Sequence, residues 1–269
     1  MATSYLLKRR ISLYRIALAW NDKFEVSNSS RIPAIIVVGC GGTGGFAADG
    51  LARMLPPNIH LILIDMDRVE ERNLNRQSFT AADVGLFKSE ALAKRLSGKY
   101  QRPVQYSVLP VGAVDLPKGI VVGCVDNGLA RQTIADRIHD GQWWIDSGNG
   151  TNFGQVLIGN SKVEKLRPSF TADLCVRLPF PTIQQPALLT QVPRQRSCAE
   201  AVAADDQSPT INQAMGALVL EVVRRIIAGT CPWMQLYLDL EAGTLTPTMA
   251  TPETVSRLTR INTSKLIEK

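Results

Sequence analysis

The sequence lacks any long apolar run. None approaches the ~18 to 20 residues that a membrane-spanning helix needs, and the longest apolar stretches, residues 34–38 and 61–64, are strand-length. No membrane partner is therefore expected. It also lacks a Cys-x-x-Cys pair, so a four-cysteine zinc site has no support and no structural zinc is expected. The five cysteines, Cys40, Cys124, Cys175, Cys198 and Cys231, are odd in number and irregular in spacing. That reads as reduced thiols in a cytoplasmic compartment, not as a disulfide framework. No internal repeat or low-complexity tract is present. Acids are missing from the first twenty residues, which carry Lys8, Arg9, Arg10 and Arg15. An Arg-rich, acid-free start is shared with transit peptides, but without a long apolar segment a secretory signal is not expected.

What is there fits a globular enzyme. Hydrophobic residues make up 45% and charged residues 20% of the 269 positions, enough for one large domain or a domain with a small appendage. The net charge of +6 is carried by the two ends, since Arg257, Arg260, Lys265 and Lys269 face only Glu268 at the C-terminus. Such ends are read as solvated tails, with docking to an acidic protein or to nucleic acid as the other reading. The expected organisation is an N-terminal arm (1–31), a folded domain (32–250) and a basic C-terminal tail (251–269).

Residues 32–38 read as a β-branched strand that runs into a glycine cluster and then a small-residue helix over 44–55. Further strands are expected at 59–64, 104–108, 119–125 and 143–145, with helices at 89–100 and 129–139. Residues 153–158 alternate and should run antiparallel. Strand and helix alternating at this spacing predict an α/β fold, a doubly wound Rossmann-like, mostly parallel sheet with an antiparallel extension. Residues 169–197 hold Pro179, Pro181, Pro186 and Pro193 and read as a long irregular crossover loop. A helix over 210–228 follows, then a hairpin from 234–240 and 244–249. Ligands bind such sheets at the carboxyl edge, so 39–44, 65–67 and Asp126 should meet in one crevice.

Gly39, Gly41 and Gly44 form G-x-G-x-x-G between a strand and a helix, and Gly42 lies between them. Close backbone approach and free helix N–H groups would suit a phosphate. Asp65, at the end of the second strand, is placed to bond ribose hydroxyls. Both features serve NAD or ATP equally. The stretch from Asp65 to Gln77 discriminates. Asn73, Arg76, Gln77 and, eleven residues on, Lys88 crowd just past the second strand. An oxidoreductase has no use for them there. A nucleotidyl-transfer site does, because the triphosphate's charge must be neutralised as pyrophosphate leaves.

The pattern D-x-D-x-V-x-x-x-N-L-x-R-Q, with Val84-Gly85 before Lys88, resembles the signature of the ThiF/MoeB/E1-like activating superfamily. The glycine loop and Gly123-Cys124-Val125-Asp126-Asn127 match its other motifs. The resemblance implies an adenylyltransferase that activates the C-terminal Gly-Gly carboxylate of a ubiquitin-like or sulfur-carrier protein, and a homodimer. It implies that the glycines line the nucleotide and that Asp65, beside Asp67, holds the ribose. Asn73, Arg76, Gln77 and Lys88 would contact the phosphates of ATP, and Asp126 would hold Mg2+. Asp126 could also cap the helix that follows it. Ser197-Cys198-Ala199-Glu200-Ala201 resembles a segment that in some relatives holds a reactive cysteine, so Cys198 is the candidate for thioester or acyl-disulfide formation.

Departures from the pattern are also clear. Cys175 stands alone where a zinc-binding pair would begin, and Arg9-Arg10-Ile11 is only the nearest thing to a dimer-partner arginine motif. Together with the small size, these features resemble a divergent plasmid-associated (PRTRC-type) branch. Three other readings stay open: an E1-like enzyme acting on a tRNA-linked carboxylate, which the basic ends suit; an NAD-dependent oxidoreductase; and a non-catalytic adaptor. Intact Arg76, Lys88 and Asp126 argue against the last. The helix near 211–227 could bury its apolar face against a partner or in the core.

Overall fold

The structure is a computed structural model and describes residues 32–171, 174–190 and 208–267. Eight strands form one sheet in the order β10-β9-β6-β5-β4-β1-β2-β3. β1 (Ala34–Val38), β2 (His60–Ile64), β3 (Val104–Ser107), β4 (Ile120–Gly123) and β5 (Trp143–Asn149) are parallel. β6 (Phe153–Gly159), β9 (Trp233–Asp239) and β10 (Thr244–Met249) add an antiparallel wing. This is the mostly parallel, Rossmann-like sheet with an antiparallel extension expected from the sequence.

β1 is buried along its whole length, which is why it reads as an uninterrupted apolar run. Ile35 and Val37 face one core layer, Ile36 and Val38 the other. The first layer is covered by α1 (Gly42–Met54), α2 (Lys88–Tyr100) and, after β8, α5 (Pro209–Ile227). The second is covered by α3 (Gly128–Arg137), whose Ile134 packs with Trp144 of β5 and Phe180. α1 and α5 pack closely because both present glycine at the crossing. A Cβ on Gly216 would lie 2.8 Å from that of Phe46, and one on Gly50 would collide with Leu220. Ile211, Met215, Val219, Val222 and Ile226 all lie in the core. The apolar face of α5 is thus spent on its own chain.

Two segments differ from the sequence reading. The proline-rich stretch is not wholly irregular. It holds a short pair, β7 (Phe170–Thr171) and β8 (Leu174–Cys175), and one helical turn, α4 (Pro181–Gln184), with proline at the first helical position, where its missing N–H costs nothing. Residues 251–267 do not trail from the domain. They form α6 (Pro252–Thr259) and α7 (Thr263–Leu266), and Val255, Ile261 and Leu266 are buried in the first core layer. Arg257, Arg260 and Lys265 point outward, so the positive charge that suggested a tail is the exposed side of packed elements.

Candidate active site

The strand order reverses between β1 and β4, and the crevice opens there, beyond the carboxyl ends of the parallel strands. Its volume is about 1230 Å³. Gly39, Gly41, Gly42, Asp65, Asp67, Asn73, Arg76, Gln77, Lys88 and Asp126 all line it. Gly44 does not. Cys198 lies outside the described residues.

Gly39 has φ +89°, and a Cβ there would strike the carbonyl of Cys124, so only glycine permits the turn out of β1. Gly44 serves the same turn from beneath: a Cβ would overlap the Gly39 carbonyl oxygen. Gly41 caps α1 without a side-chain hydrogen bond, and the first turn of α1 contains no acid. The leading N–H groups of α1 thus carry partial positive charge beside the crevice, a suitable seat for an anion.

Asp65 braces this loop. Its carboxylate accepts hydrogen bonds from the backbone N–H of Cys40 at 2.6 Å and of Asp67 at 2.8 Å. Burial pushes its pKa up, and the nearby Lys88 ammonium opposes the shift. Lys88, the first residue of α2, is 9% exposed and ion-pairs with Asp67 at 3.0 Å. Asn73 is a turn builder: its side-chain oxygen accepts from Glu70 N–H, and its carbonyl accepts from Gln77 N–H. That turn carries Arg76 and Gln77 to the crevice wall. The Gln77 carboxamide lies beside Gly41, and its buried oxygen has no hydrogen-bond partner among the described residues.

Asp126 is exposed on the loop after β4 and accepts a hydrogen bond from Asn127 Nδ2 at 3.2 Å. The helix-capping role read for Asp126 falls instead to Asn127, whose side chain accepts from Ala130 N–H at 2.8 Å. The reason is register: the cap must be the last residue before the first helical turn, and α3 starts at Gly128. Among the described residues no three His, Cys, Asp or Glu side chains converge on a common metal position. A lone carboxylate still fits Mg2+, which takes most of its ligands from phosphate oxygens and water.

Two groupings were not foreseen. Arg131, on α3, is 1% exposed and donates from Nε to both oxygens of Asp146, at 3.1 and 3.0 Å. Its Nη2 also donates to the Val125 carbonyl at 2.6 Å, fixing the loop that bears Asp126. Burial pushes Asp146 up to about 6 despite this pairing. The available signal was an Arg four residues past the cap, facing an acid midway along β5. The second grouping joins Thr43, Asn149 and Asn212. Thr43 Oγ1 donates to Asn149 Oδ1 at 3.0 Å, and Asn149 Nδ2 donates to Asn212 Oδ1 at 3.2 Å. The described cysteines, Cys40, Cys124, Cys175 and Cys231, are held as thiols, because burial raises the pKa of each.

Comparison with known proteins agrees with this arrangement. The ThiF family model matches residues 16–256. Ubiquitin-like modifier-activating enzyme 5 of Drosophila mojavensis is 32% identical over 164 residues, covering 53% of this chain and 39% of that protein. The chain therefore spans well under half the length of that relative. A crystal structure of E. coli MccB with MccA-N7isoAsn superposes with a TM-score of 0.58 at 18% identity, over 86% of this chain and 67% of that one. PaaA gives 0.57 at 19% identity, over 87% and 76%. These likenesses to solved structures establish a common fold. The family match covers most of the chain, and the crevice is built from the motifs that defined the resemblance: this protein belongs to the ThiF family.

Proposed function

We propose that the chain uses ATP to adenylate the C-terminal carboxylate of a ubiquitin-like or sulfur-carrier protein ending in Gly-Gly. The observation that carries this reading is the meeting, in one crevice, of the uncapped N-terminus of α1, the cations Arg76 and Lys88, and the carboxylate of Asp126. Family membership and relatedness to a protein named as a ubiquitin-like modifier-activating enzyme support it.

The acceptor carboxylate is ionised at neutral pH and needs no general base. Its oxygen attacks the α-phosphorus of ATP, the bond to the oxygen bridging the β-phosphate breaks, and pyrophosphate leaves. An acyl-adenylate remains. Arg76, Lys88 and the α1 amides are placed to offset the charge that collects on pyrophosphate. Asp65 would orient the ribose. Asp126 would hold Mg2+, which when bound neutralises phosphate charge and polarises the phosphoryl group. The crevice also exceeds the ~300 to 1000 Å³ common for a small-molecule pocket. Its far wall, formed by Phe153, Gln155 and Tyr237 of the antiparallel wing, leaves room for an extended chain terminus beside the nucleotide. Transfer to Cys198, if it follows, would have the thiolate attack the acyl carbon with AMP leaving. A homodimer would have to use a surface other than the apolar face of α5. The nicotinamide reading leaves Arg76 and Lys88 without a role.

ATP–pyrophosphate exchange on the purified protein tests the proposal, with Gly-Gly-ending candidate acceptors and Asp126→Ala as control. Exchange that depends on one acceptor and falls about 100-fold or more in the variant is expected, as for loss of a group that stabilises developing charge. ATP hydrolysis stimulated by tRNA, without protein-dependent exchange, would replace this reading by the RNA-acting one.

A further inference from the structure

Asn212 lies in the first turn of α5, 1% exposed, where an apolar residue would pack at no polar cost. Its carboxamide instead joins three other elements. Nδ2 donates to the backbone carbonyl of Arg76 at 3.2 Å. Oδ1 accepts from Asn149 of β5 at 3.2 Å and lies 3.5 Å from the Thr43 hydroxyl of α1. Gly42 explains itself by the same contact. A Cβ at Gly42 would collide with the carbon, oxygen and nitrogen of the Asn212 amide. The glycine loop is therefore shaped to admit this side chain, as well as any ligand.

We infer that Asn212 is a positioning residue, which ties the Arg76 backbone to the glycine loop so that the Arg76 side chain and the α1 N-terminus address the same phosphates. The inference rests on the adenylation reading for the identity of the ligand. Its geometry is independent of the acceptor. The segment 73–77 contains only short 3-10 and turn structure. Its place relative to α1 is set by long-range bonds, of which the Asn212 bridge is one. Thr43 and Asn149 act behind Asn212: Asn149 holds the carboxamide in the orientation that aims Nδ2 at the Arg76 carbonyl, and Thr43 fixes Asn149.

Direct calorimetric titration with Mg-ATP, which needs no acceptor, provides the test on the full chain. The variants are Asn212→Asp, Arg76→Ala and the double variant, with thermal melting to verify folding. Asn212→Asp keeps the shape but turns an oxygen toward the Arg76 carbonyl. It should weaken ATP binding about tenfold, the scale of one hydrogen bond to a charged ligand lost through misplacement. The double variant should bind no more weakly than Arg76→Ala alone, because the first change acts only through the second residue. Losses that add in the double variant, or wild-type affinity in Asn212→Asp, would overturn the positioning role and leave adenylation standing. Wild-type protein that binds no ATP would overturn both. Should Asn212→Asp fail to fold, Asn212→Ser takes its place in the same cycle, and the same two outcomes decide.

Discussion

Arg131 serves two surfaces at once: one nitrogen neutralises Asp146 inside the core, another holds the Val125 carbonyl behind Asp126. Taking away the guanidinium strands a carboxyl whose burial already raises its pKa to about 6 with the partner in place. We expect Arg131→Met to lose about 3 to 5 kcal/mol in urea denaturation at pH 8, the usual result of breaking a buried pair from one side. The deficit should shrink toward pH 5, where Asp146 takes up a proton and no longer needs a countercharge. Replacing both partners by apolar residues should recover most of the loss. A small, pH-independent effect of Arg131→Met would mean that water reaches Asp146. This pair was only half legible in the sequence. An acid at the end of the expected strand was visible at Asp146, but nothing local says that a side chain fifteen residues away turns inward to meet it.

At the scale of elements, α5 shows how surface charge and core packing divide a single helix. Glu221 accepts from Arg224 at 2.8 Å and from Arg225 at 2.6 Å, three and four residues on. These guanidinium bonds, Arg224 first, hold its carboxyl down from the ordinary 4.5 to about 2. A depressed acid stabilises the fold fully above the unfolded value of 4.5, and the contribution disappears as pH falls through about 2. Solvent screening keeps it below about 1 kcal/mol. Glu221→Gln should therefore lower the melting temperature slightly at pH 7 and flatten the acid limb of the pH–stability curve between those two values. Unchanged steepness there would show that the pairs are solvent-broken. The apolar stripe of the same helix was plain in the sequence, yet periodicity alone could not say what covers it. The glycines of α1 and α5 decide that, because they allow the two helices to approach closely enough to seal the stripe inside the chain.

For the whole molecule, residues 251–267 are the clearest case in which composition misleads. Their charge is conspicuous, whereas their three core contacts are widely spaced. Removing residues 251–269 should destabilise the domain severely. Val255, Ile261 and Leu266 are each worth about 1.5 to 3 kcal/mol on burial, and marginal stability leaves little to spare. Melting of the shortened chain within a degree or two of the full chain would refute their structural role.

The crevice belongs to this scale as well. The sequence alone determined the alternation of strands and helices, the glycine turn and the order of the polar motifs, because these depend on local periodicity and backbone sterics. It could therefore indicate Asp65, Arg76, Lys88 and Asp126 as neighbours. Tertiary structure alone decided that Asn127 and not Asp126 caps α3, that Gly44 supports the loop from beneath, and that Arg131 and Asn212 brace the walls of the crevice. Those assignments depend on which long-range groups must be satisfied once water is excluded. A buried donor or acceptor takes its partner from whatever the packed fold places within about 3 Å, and sequence distance has no bearing on that choice.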